Sequence, residues 1–228
     1  MQYNTMNPSH PTVNALLCAI LALPVIALFY FMLEPAVVAG QGTTREFTIT
    51  QNISGEVSFV GEVDDVTMVG NVEGLSGGTA LGSTTFQVNN NSATGYTVTI
   101  EFENPAAAMQ QVNGTGTITN LGSDIREVFT DGVAANQARF GLTVEGDRVA
   151  QSFGWNGSSC DNDGSPGNGI NCWVLPDTSS ALVIVDGEGV AFAEEHVLHF
   201  QVHVNENPSP ALEAGNYTAT ATLTVAVK

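Results

Sequence analysis

From residue 45 onward, apolar and polar residues alternate in short runs broken by Gly, Asn, Asp and Pro. A two-residue period places successive side chains on opposite faces of a strand, and no clear 3.6-residue helical period competes with it. The clearest run is YTVTIEFEN, with Tyr96, Val98, Ile100 and Phe102 on one side and Thr97, Thr99, Glu101 and Glu103 on the other. VLHFQVHV repeats the pattern, setting Leu198, Phe200, Val202 and Val204 against His199, Gln201 and His203. NYTATATLTVAVK closes the chain with Tyr217, Ala219, Ala221, Leu223, Val225 and Val227 facing one way and threonines the other. These runs predict antiparallel strands with one face on a core and one in water.

Weaker runs, namely REFTITQNI, EVSFVGEV, VTMVGNV, TTFQVNN, GTGTITNL, RFGLTVEG, AQSFGW and ALVIVDG, bring the expected total to about ten strands. The fold expected is all-β: an antiparallel β-sandwich, immunoglobulin-like or jelly-roll-like, with an open barrel as the alternative. DIREVFTDGVAANQ is the one segment beyond residue 40 expected to hold a short helix. With no repeat of fixed period and no linker, residues 40–228 read as a single domain.

The first forty residues follow a different pattern. Residues 15–33, ALLCAILALPVIALFYFML, carry no charge and predict a hydrophobic helix. Val37 and Ala39 then stand at the −3 and −1 places of a signal-peptidase site, so residues 1–39 are expected to be a signal peptide cut after Ala39. An uncleaved membrane anchor is the alternative, since no Lys or Arg precedes the apolar run. Both readings export the remainder to the cell surface or beyond.

Charge narrows the partners. Acidic residues outnumber basic ones 23 to 5, for a net charge of −18. Such a surface repels phosphate backbones, which excludes nucleic acid as a partner. It also disfavours an anionic substrate, because Arg45, Arg126, Arg139, Arg148 and Lys228 are the only fixed cations.

Export also decides the cysteines. Cys18 lies in the apolar run, leaving Cys160 and Cys172 as a pair on one loop, CDNDGSPGNGINC, which in an oxidising compartment reads as a disulfide. On a chain-entropy account that closure stabilises by about 3 kcal/mol. The eleven intervening residues and the lack of a nearby cation argue against a redox pair. Asp161 and Asp163 make the loop a candidate for weak calcium binding, although Pro166 and Cys172 occupy the Gly and Glu places of an EF-hand. Trp155 and Trp173 flank the loop and form a candidate platform for stacking a sugar.

Catalytic patterns fail on inspection. His199 and His203 share a face but lie roughly 13 Å apart at strand rise, too far for one zinc. His196 has the opposite parity, and all three are expected to be solvent-facing sheet histidines. GLSGG, residues 74–78, matches G-x-S-x-G formally, but that elbow works on a strand-to-helix turn, so here it is expected to be a flexible loop. No metal or other cofactor beyond the weak calcium is expected, and no catalytic residue is nominated. The sequons at Asn52, Asn90, Asn113, Asn156 and Asn216 are expected to be exposed.

The stretch from VTMVGNVEGL to ENPAAAM, RFGLTVEG, the Cys172–Trp173 pair and the closing LEAGNYTATATLTVAV together resemble secreted bacterial β-sandwich surface proteins. The likeness is to the WxL, spore-coat-U and TasA/camelysin-like kinds, although CWVLP replaces the W-x-L tripeptide. It implies a cell-surface location and structural or adhesive work without catalysis. The pilus-like members of that group donate an N-terminal strand to a neighbour, and GQGTTREFTITQNI offers Phe47, Ile49 and Ile53 in alternation as such a donor. For this segment an ordinary first strand paired within its own sheet is the reading preferred, with the donor strand as the alternative. The function expected is thus that of a non-catalytic exported cell-surface structural or adhesive protein, a filament or coat subunit assembled as a homo-oligomer by N-terminal strand exchange being one form of it; the runner-up is a binding module for cell-wall glycan or a host ligand.

Overall fold

The computed structural model describes residues 46–126, 129–154, 160, 172–175 and 180–228. The apolar run and Ala39 lie outside those residues, as do Trp155, Asp161 and Asp163. The chain falls into two units, Met1–Gln51 and Asn52–Lys228. Of the first, residues 46–51 are described, and they carry no strand pairing.

In the second unit the strands are β1 (Val57–Phe59), β2 (Val72–Glu73), β3 (Gly77–Asn90), β4 (Tyr96–Phe102), β5 (Met109–Gln111), β6 (Thr117–Asn120) and β7 (Gly122–Arg126). After a 3-10 turn at Phe129–Gly132 come β8 (Ala138–Gly146), β9 (Trp173–Leu175), β10 (Leu182–Gly187), β11 (Ala191–Val204), β12 (Tyr217–Thr218) and β13 (Ala221–Val227). The described structure is therefore almost all β, in two sheets.

The larger sheet follows the order β1-β3-β11-β8-β6-β5-β12, with β2, β7 and β9 attached beside it, and it curls into a half-barrel. All its pairings are antiparallel except β6 beside β8. The smaller sheet has the order β10-β4-β13. Alternation in β4 sends Tyr96, Val98, Ile100 and Phe102 into the core, and β11 sends Leu198, Phe200, Val202 and Val204 there from the larger sheet. Phe102 meets Phe140 edge-on at 5.8 Å, and Phe140 stacks on Phe200 at 6.0 Å. Each such fully buried large side chain stabilises by about 1.5–3 kcal/mol relative to exposure.

Several sequence expectations need correction. DIREVFTDGVAANQ holds the short helix expected of it as a 3-10 helix at Phe129–Gly132, but its first three residues are the end of β7. AQSFGW is not a strand over its described residues: 151–154 turn, and Phe153 is driven fully into the core by that turn. The closing run is two strands in different sheets, since β12 pairs with β5 and β13 pairs with β4, the chain crossing at Ala219 and Thr220. GLSGG is a tight β2–β3 connection: Gly78 has φ +139°, and a Cβ there would sit 2.1 Å from the Asn71 carbonyl oxygen. Asn90 is buried, donating to the carbonyls of Ser92 (3.0 Å) and Gly189 (2.9 Å), so its sequon is not an exposed one.

Candidate functional site

The smaller sheet ends at β13. Among the described residues no strand pairs with its outer side, although the segment leading into β1 comes close to its end, a Cβ on Gly55 lying 3.8 Å from Val227. The consequence is visible in burial: Tyr96, Val98, Ile100 and Phe102 of β4 are 0–7% exposed, whereas Leu223 and Val225 of β13 are only half-buried and Val227 is 39% exposed. An edge of this kind presents unpaired amide and carbonyl groups beside an incompletely covered core, the situation into which an added strand fits.

The segment expected as a donor strand carries exposed apolar side chains. Phe47, Ile49 and Ile53 are 80%, 84% and 80% exposed, and residues 46–56 belong to no strand. Three large apolar side chains in alternation, each so exposed, exceed the scattered exposure ordinary on a protein surface. Over its described residues, 46–53, REFTITQNI is thus no strand of its own sheet; the first strand among the described residues is β1 at Val57.

The cysteine loop is closed as expected: Cys160 and Cys172 form a disulfide with Cα atoms 5.3 Å apart. Cys172 is wholly buried and its amide donates to the Phe153 carbonyl at 3.0 Å, so the bridge ties the loop to the core at β9. Trp173, the next residue, is half-buried and held edge-on against Phe129 at 5.3 Å.

The three histidines part company. His203 bonds Thr79 Oγ1 through Nδ1 (2.6 Å) and Asn205 Oδ1 through Nε2 (3.2 Å). His199 has Glu145 Oε1 3.4 Å from its Nε2. His196 is fully buried, contrary to the solvent-facing expectation, because its parity in β11 is that of Leu198 and Phe200. Its ring stacks on Phe86 at 5.1 Å, and its Nε2 lies 3.2 Å from the Tyr96 hydroxyl, which donates to Glu194 Oε1 at 2.9 Å. Arg148 completes the group, 3.1 Å from Glu194 Oε2. Burial is the main cause that pushes the His196 pKa down to about 4, with Arg148 adding to it and Asp147 and Glu195 opposing. Burial, followed by the hydrogen bond to Glu194, raises Tyr96 well above the usual phenol range. A neutral imidazole and a neutral phenol pack here as core side chains.

Among the described residues no three His, Cys, Asp or Glu side chains gather as a metal would require, and no helix is long and apolar enough to cross a membrane. Comparison with protein-family models finds no family matching this chain, and comparison with curated proteins finds no relative. The function must therefore be argued from the edge at β13 and the surfaces around it.

Proposed function

We propose that this chain is a non-catalytic, exported surface protein whose copies join by strand addition, residues 47–53 of one copy lying along the free side of β13 in the next. The observation that carries the reading is the unfinished edge: β13 leaves Leu223, Val225 and Val227 partly exposed beside the buried inward face of β4. An added strand would bring Phe47, Ile49 and Ile53 to one face by its two-residue period, supplying the missing apolar cover.

In this reading the two facing sheets form an antiparallel β-sandwich that lacks one strand, and residues 15–33 direct export. Magnitudes favour assembly by many weak contributions. Burying three such side chains contributes roughly 5–8 kcal/mol, which is of the order of the 4–15 kcal/mol that association costs. The backbone ladder must supply the surplus, so register and edge geometry matter as much as apolar area.

A synthetic peptide of residues 45–54 tests the reading. It should cap β13 and shorten or abolish assemblies of the full chain, whereas a peptide with the same composition in scrambled order should not. Equal assembly with either peptide would refute strand addition at this edge.

A further inference from the structure

A groove of about 510 Å³ opens on the face of the larger sheet that turns away from the core. Its floor is one row across three strands: Ser83 of β3 is the register partner of His199 in β11, which is in turn the partner of Thr143 in β8. Glu145 follows two residues along β8 and so faces the same way. The walls are apolar and stand on opposite sides, Trp173 beyond β8 and Val69 beyond β3, where it bridges Leu81.

The floor contains two polar atoms without hydrogen bonds. Thr143 is 4% exposed and its Oγ1 has no partner; His199 Nε2 has none either, Glu145 being near but not aligned. A buried hydroxyl left unpaired costs about 1–3 kcal/mol, and native structures hold few such atoms without a reason. Two of them lie just under the groove beside one carboxylate and one indole, with hydrogen-bonding capacity that no group of the protein uses and that a small turn of either side chain would bring to the surface.

We propose that the groove binds a neutral, hydroxyl-rich ring of the pyranose type, one sugar face against Trp173 and its hydroxyls on Thr143, His199 and Glu145. The alternatives fail on chemistry. An anion would meet Glu145 and a protein of net charge −18. A divalent cation would find one carboxylate where several oxygen ligands are needed. A purely apolar guest would leave Thr143 and His199 unpaired. A hydroxyl both donates and accepts, so it satisfies a carboxylate, a hydroxyl and an imidazole alike. The volume lies within the range of about 300–1,000 Å³ for small-molecule sites. This site is independent of the β13 edge.

Titration calorimetry of the oxidised full chain with cellobiose, chitobiose and mannobiose tests the assignment, with glucose 6-phosphate and cyclohexanol as anionic and apolar controls. At least one neutral disaccharide should bind in the millimolar range or tighter, and neither control should. Thr143→Val should weaken that binding about tenfold and at the same time raise the melting temperature of the free protein, because it removes an unpaired hydroxyl. A structural hydroxyl would move stability the other way. Absence of binding by all three disaccharides, binding of a control instead, or a lower melting temperature for Thr143→Val would each overturn the proposal.

Discussion

The Tyr96 hydroxyl lies 3.2 Å from Nε2 of His196, joining β4 of the smaller sheet to β11 of the larger one inside the core. Because the hydroxyl donates to Glu194, Nε2–H of His196 donates to the hydroxyl oxygen, and burial of the ring holds the imidazole uncharged. With the His196 pKa lowered from 6.5 to about 4, the unfolded chain binds the proton more readily than the folded one. The contribution is fully present above pH 6.5 and is lost as pH falls from there to about 4, amounting to about 3 kcal/mol. Denaturant titrations of wild type and His196→Gln across that window should differ in slope, the variant lacking the histidine component. Parallel profiles would contradict a buried neutral His196.

Gly146 is a second consequence of the same packing. It has φ +135°, and a Cβ there would lie 2.5 Å from His196 Nδ1 and 2.8 Å from the Glu195 carbonyl oxygen. Gly146→Ala should therefore destabilise by about 1–3 kcal/mol. Gly189→Ala, at φ +77° but with nothing within 4 Å, separates backbone strain from collision and should cost less. Midpoints of urea unfolding for the two variants decide the matter.

Reducing the disulfide should loosen the β9 attachment. Because Cys172 is wholly buried beside Val174 and Leu175, the double variant Cys160→Ser, Cys172→Ser also places a hydroxyl in the core. Reduction of wild type should cost about 3 kcal/mol, and the double serine variant should cost more. Equal stability with and without reductant would mean that the bridge closes a loop already held in place.

Much of the fold was legible where one strand face is buried and the other is wet. β4 and β11 alternate cleanly, and their inward residues are those that alternation nominates. Legibility failed where pairing is long-range. The closing run alternates without interruption, yet its two halves enter different sheets, a change set by partners distant in sequence. Likewise His199, Ser83 and Thr143 each read as ordinary outward positions, and only the register of β3, β11 and β8 makes them neighbours. His196 was misread although its parity with Leu198 and Phe200 carried the signal. The exposed Phe47, Ile49 and Ile53 were legible as an alternating set, while the open edge at β13 depends on which strand ends the smaller sheet, which pairing decides.

The most direct test of strand addition is negative-stain microscopy with light scattering on the oxidised full chain beside the triple variant Phe47→Ser, Ile49→Ser, Ile53→Ser. All three residues are exposed, so the variant should keep the melting temperature of the wild-type domain. Ordered fibres or rings from the wild type, and monomers of unchanged stability from the variant, are the predicted result. Assemblies of the same form from both proteins, or monomers from both, would contradict the account.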